Sequence, residues 1–167
     1  GASNLAIGYE ALKVHTTGHS NLAIGYGAMD DTDAGSTSLD SDHNLAIGVN
    51  AMGGTWANTK SEHNIAIGNN TLDAALDGAY YNIALGQYSL SNLTTGDTNI
   101  AIGWAALENI TAGSTNIAIG KQAMQVHTTG GDNIAIGHGA MDDTNAGSTS
   151  LGSSDNVFIG KSAGGGT

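Results

Sequence analysis

Asn99-Ile100-Ala101-Ile102-Gly103-Trp104-Ala105-Ala106-Leu107 is followed, 17 residues on, by Asn116-Ile117-Ala118-Ile119-Gly120-Lys121-Gln122-Ala123-Met124. The pentapeptide that opens both stretches, Asn-apolar-Ala-Ile-Gly, starts at Asn4, Asn21, Asn44, Asn64, Asn82, Asn99, Asn116, Asn133 and Asn156, and all nine copies keep the Asn and the Gly. Self-similarity at a fixed period decides the architecture before any single residue does. Counting the Asn as position 1, the base unit is 17 residues, and units starting at Asn21, Asn44, Asn64 and Asn133 carry insertions. An Ala and then a Leu or Met follow at positions 8 and 9, as in Ala28-Met29, and a second Gly often stands at position 15, as at Gly96, Gly113 and Gly130. A longer period lies above the short one: Val14 to Gly48 recurs with few changes as Val126 to Gly160, six units later. The chain therefore reads as one repeat domain over 1–167, cut from a longer array.

Residues two apart on an extended chain share a face, so Leu5 and Ile7 point one way and Ala6 the other. Seventeen residues are too few for two packed helices with a turn, and two Gly per unit would weaken both. The unit suits one coil of a β-solenoid with two short strands and bends at the glycines. Nine coils about 4.8 Å apart make a rod roughly 40 Å long. The recurrent Asn is expected either to stack as a ladder of side-chain amides or to serve simply as a turn residue. Both faces of the strand are apolar, which calls for a partner beyond the coil itself. The expected arrangement puts the Leu and Ile face inside the coil and the Ala face against a neighbouring subunit.

The nine-residue units quoted above resemble the Ala-Ile-Gly repeats of YadA-like heads in trimeric autotransporter adhesins. They are still more similar to the longer repeats of bacteriophage tail fibres. The resemblance covers essentially the whole chain. It implies a left-handed parallel β-roll wound as a homotrimer, with a structural and adhesive role on a virion tail or a bacterial cell surface, outside the cell. The implied partners are a second and third copy of the chain and a host-surface glycan or protein receptor.

Composition narrows the remaining chemistry. There is no Cys, so disulfide scaffolds, Cys-based zinc sites and cysteine nucleophiles are excluded. Four Lys and Arg against 15 Asp and Glu, for a net charge of −11, exclude a protein that tracks nucleic-acid phosphates. Apolar runs are as short as Leu5-Ala6-Ile7, so direct membrane insertion is not expected, and any export signal or anchor would lie outside these residues.

No catalytic, cofactor or metal site is expected. Gly160-Lys161-Ser162 ends like a phosphate loop, but Asp155 stands where the first Gly belongs. Gly25-Tyr26-Gly27 and Gly137-His138-Gly139 begin like dinucleotide fingerprints and lose the third Gly to Asp30 and Asp142. No nucleophilic triad, His-Glu-x-x-His or placed carboxylate pair recurs. His15 and His127 share the position of Leu93 and Ile110 and should be partly buried, whereas His43 and His63 fall in the variable column before the Asn.

Two features can bind something. The column after the repeat Gly varies most, and Tyr9, Tyr26 and Trp104 within it could stack on sugar rings. The long loops, with Asp30, Asp31 and Asp33 in one and Asp142 and Asp143 in the other, should bulge from the rod as candidate adhesive loops. They offer at most weak Ca²⁺ binding, because an EF-hand would need Glu at the twelfth position, where Asp42 stands. The competing function is a monomeric β-solenoid that binds a regular lattice such as ice or a polysaccharide. The Thr16-Thr17, Thr94-Thr95 and Thr128-Thr129 pairs point that way, while Thr111-Ala112 and the long loops interrupt the array.

Overall fold

The computed structural model describes residues 2–15, 17–30, 40–56, 59–142 and 152–165. Nine three-residue strands lie in one parallel sheet in strict sequence order, from β1 (Leu5–Ile7) through β2 (Leu22–Ile24), β3 (Leu45–Ile47), β4 (Ile65–Ile67), β5 (Ile83–Leu85), β6 (Ile100–Ile102), β7 (Ile117–Ile119) and β8 (Ile134–Ile136) to β9 (Val157–Ile159). The chain is an all-β parallel solenoid. Each Ala pairs with the Ala of the next coil, as Ala101 with Ala118. Insertions leave this register untouched: Leu22 pairs with Leu45 across a 23-residue unit as Ile100 pairs with Ile117 across 17. The extra residues are taken up away from the strand, where a one-residue slip would turn every side chain over.

Among the described residues one strand per coil forms, not two. The other half of each coil, such as 103–109, is turn, and it is built from left-handed residues that are mostly not glycine. Ala105, Leu107 and Thr115 have φ of 55°, 52° and 61°, and their equivalents repeat along the rod. Such a conformation costs an L-residue roughly 1–2 kcal/mol. It is offset by bonding between coils: Ala105 N–H donates to Gln87 O at 2.9 Å, Leu107 N–H to Ala123 O at 3.0 Å and Thr115 N–H to Asp97 O at 2.9 Å. The left-handed residue also changes the direction of its side chain. Neighbours Ala106 and Leu107 are consequently both fully buried, whereas consecutive side chains of a regular strand point to opposite faces.

The inside of the coil is the reverse of the expected one. Ala23, Ala46, Ala66, Ala84, Ala101, Ala118 and Ala135 are completely buried within the coil, and the Leu and Ile on either side of them face out. The reason is space. The centre is filled by Leu or Met at position 9, such as Met29, Leu90 and Met124, and by Leu93, Ile110 or His127 at position 12. Only a methyl group remains possible on the strand wall opposite. In the two units starting at Asn44 and Asn64, Trp56 and Leu76 do the same work one position later, and both are fully buried.

The Asn residues that open the units form a ladder, buried from Asn21 to Asn133. Asn99 Nδ2 donates to Gly113 O at 2.8 Å, tying the start of the coil to its end, and to Asn82 Oδ1 at 3.1 Å. Its own Oδ1 accepts the N–H of Asn116 at 3.0 Å. The same bonds recur where the unit is 23 residues long, with Asn44 N–H to Asn21 Oδ1 at 2.9 Å. Gly103 and Gly120, at the far end of the strand, have φ of 134° and 136°, and a Cβ on Gly103 would stand 2.5 Å from Gly120 O. Only Gly satisfies both conditions.

Candidate functional site

Three features of the outer surface run the length of the rod. The central one is the outward face of the sheet, two columns of Leu, Ile and Val at positions 2 and 4. Inner members such as Ile67, Ile102, Ile119 and Ile136 are 36–39% exposed, and Ile7 and Ile159 in the first and last coils are 53% and 68% exposed. Nine strands at about 4.8 Å and a strand width near 10 Å make this an apolar strip of roughly 400 Å², at the upper end of what a monomer usually leaves in water. The strip was legible as apolar, but its outward direction was not.

On one flank of the strip stands position 6, after the Gly, and every member from Tyr9 to Lys161 is exposed. Tyr9 and Tyr26 stack with ring centroids 5.5 Å apart and planes 17° apart. Trp104 is four coils further along, beyond Val49, Asn69 and Gln87, so the structure does not bring it to the tyrosines. It meets Lys121 instead, whose Nζ is 5.2 Å from the ring centroid, a cation–π contact.

The other flank is position 17, before the Asn, again exposed in every coil. His43, His63 and Tyr81 form a stack there, with centroids 4.8 and 4.9 Å apart and planes 13° and 1° apart. His19 meets His43 edge-on and pairs through Nε2 with Asp42 Oδ2 at 3.2 Å, while the His19 backbone N–H donates to Asp42 Oδ1 at 2.6 Å. The shared column of His43, His63 and Tyr81 was visible in the repeat; the Asp42 pair was not, because His19 and Asp42 share a column two residues before the Asn whose other members, such as Glu62, Tyr80 and Asp97, follow no single chemistry.

Other candidate residues fall elsewhere. His127 is 1% exposed, and its Nε2–H donates to Ser153 O at 2.9 Å. Burial pushes its pKa down, the Ser153 carbonyl opposing this only in part. His15 is half-buried in the same column beside Asn21. Asp30 and Asp142 are partly buried where their loops begin, while Asp31, Asp33 and Asp143, with the loop bulges expected around them, lie outside the described residues. Asp73 is half-buried, and desolvation raises its carboxyl to about 6 despite a hydrogen bond from the Gly53 backbone. The Thr column is engaged: Thr94 Oγ1 donates to Thr111 O at 2.9 Å and Thr111 Oγ1 to Thr128 O at 3.1 Å. Among the described residues no three His, Asp or Glu side chains are placed to hold a metal ion, and no helix is long and apolar enough to cross a membrane.

Comparison with known protein families, with curated proteins and with solved structures finds no match.

Proposed function

We propose that the chain is a non-enzymatic rod segment of an extracellular fibre, on a virion tail or a bacterial cell surface, that associates as a homotrimer and spaces or presents an adhesive surface. The observation that carries this reading is the continuous outward Leu and Ile strip. Regular and about 40 Å long, it has the form of an interface rather than of a pocket. The similarity of the Asn-x-Ala-Ile-Gly units to adhesin heads and tail fibres supports the same assignment. Adhesion to a surface glycan or protein falls to the loops that begin at Asp30 and Asp142.

The test is mass in solution by light scattering, with Ile102→Glu/Ile119→Glu as the comparison. These side chains point outward, so the variant should fold with an unchanged spectrum yet lose the association, because carboxylates would have to be buried in the contact. The unmodified protein is expected at three times its 16.7 kDa chain mass. A folded species of one chain mass would sink the trimer and turn the reading to the monomeric lattice-binding module. Cleavage of bacterial surface polysaccharides on incubation would overturn the non-enzymatic assignment.

A further inference from the structure

The two flanks of the apolar strip are complementary to one another, coil by coil, although they do not meet within a chain. Where the flank after the Gly carries a ring, the flank before the Asn in that unit is small: Tyr26 goes with Ser20 and Trp104 with Thr98. Where the flank before the Asn carries the ring, the other does not, as with Tyr81 and Gln87. In the last two coils the match becomes one of charge potential, His138 with Asp132 and Lys161 with Asp155. All of these side chains are exposed. Among the described residues no ring contact crosses from one flank to the other, and no ion pair joins His138 or Lys161 to a carboxylate. Within one copy the strand separates the flanks by five residues, roughly 15–20 Å of extended chain, so their matching has no purpose there.

We propose that copies pack side by side around an axis parallel to the rod, all in the same direction and in register, with the flank after the Gly of one copy lying against the flank before the Asn of the next. Rotation about such an axis keeps each coil at its own height, so Trp104 meets the neighbour at Thr98 and Lys161 meets it at Asp155. An antiparallel pair would set like flank against like flank and coil 1 against coil 9, which loses every one of these matches. The flanks also supply the missing area. The strip alone offers roughly 400 Å², whereas the surface from position 17 to position 6, about 20 Å wide and 40 Å long, offers about 800 Å² per copy, shared between its two neighbours, so the flanks double the area available for association. The inference rests on the lateral self-association proposed above and adds its direction, register and contacting residues.

The chain lacks cysteine, so a designed pair reports without background. Thr115→Cys/Lys121→Cys places one thiol on each flank of the same coil, too far apart to close within a chain, since a disulfide needs Cα atoms within about 7 Å. Mild oxidation is expected to link nearly all chains through disulfides into a covalent oligomer of the native mass. Thr98→Cys/Lys121→Cys, one coil out of register, should link at least tenfold more slowly. An oligomer of native mass that fails to link, or that links equally in both variants, overturns the register while leaving the association standing. A monomeric mass before oxidation overturns the association itself and the inference with it.

Discussion

Asn116 gives both its backbone N–H, at 3.0 Å, and its side-chain amide, at 3.1 Å, to the one Oδ1 of Asn99. Asn99 in turn spends its own amide on Gly113 O and Asn82 Oδ1. Each Asn thus closes its own coil and fixes the height of the next, and all of them from Asn64 to Asn133 are fully buried. This explains why coil length is free to vary while the rod stays in register.

Asn99→Ala would leave Gly113 O and the Asn116 backbone N–H without their partner in a water-free interior, while the Asn116 amide keeps only Gly130 O at 2.8 Å. Orphaned buried groups cost about 1–3 kcal/mol each, so urea unfolding should show a loss of about 3 kcal/mol or more. Asn92→Ala, which removes an exposed Asn–Asn bond to Asn109, is the control and should cost under about 0.5 kcal/mol. Equal effects would show that the ladder is not the spine of the rod.

Gly120→Ala tests the close approach at the end of the strand. Its φ is 136°, and a Cβ there would stand 2.5 Å from Gly137 O, a rigid backbone atom that cannot move aside without breaking the sheet register. A loss above about 2 kcal/mol is expected. Gly139→Ala is the contrast: φ is 60°, nothing lies nearer than 3.8 Å, and only the left-handed cost of about 1 kcal/mol applies. Thermal melts of the two variants that coincide would refute the distinction.

Much of this was legible in the order of residues. Nine Asn at unit spacing announced the ladder, and Ile100-Ala101-Ile102 announced a strand. What sequence could not decide was the direction of that strand, because Ala and Ile are both apolar and alternation says only that they oppose one another. The answer depended on the opposite wall, where Leu107 reaches the centre. That wall was itself hidden, since a left-handed Leu runs against ordinary preference and the consecutive Ala106-Leu107 fits neither a period of 2 nor one of 3.6. The only available clue was that this pair recurs in unit after unit without a polar residue between. Among the functional candidates, the flank positions were legible as variable columns, but the outward strip between them followed only once the Ala was placed inside.

Asp73 makes the pH dependence of stability measurable from one side. An unfolded Asp ionises near 3.8 and the folded one near 6, held up by desolvation. Between those values the folded state binds more protons, so this group's contribution falls as pH rises from about 3.8 and is fully lost above about 6. Asp73→Asn should therefore stabilise the protein at pH 7.5 and change little at pH 3. Because the carboxyl is half-exposed, the gain is on the order of 1 kcal/mol, well below the full shift. A urea midpoint that does not rise at pH 7.5 would refute the desolvation argument.

His127 acts with the opposite sign. Burial lowers its pKa from the ordinary 6.5, so the unfolded chain takes up a proton before the folded one does. Its contribution is complete above about pH 7 and is lost as pH falls through 6.5 towards the lower folded value. Ile110 and Leu93 occupy the same inward column in neighbouring coils, so His127→Ile has a shape the coil already accepts. The substitution removes the Nε2–H bond to Ser153 O, but that carbonyl keeps the Asn133 amide at 2.8 Å and is not orphaned. At pH 8 the variant should match the unmodified protein within about 1 kcal/mol, and between pH 7 and 5 its stability should decline less steeply. Parallel declines in urea midpoint over that range would mean that the imidazole is not the group whose protonation opens the coil.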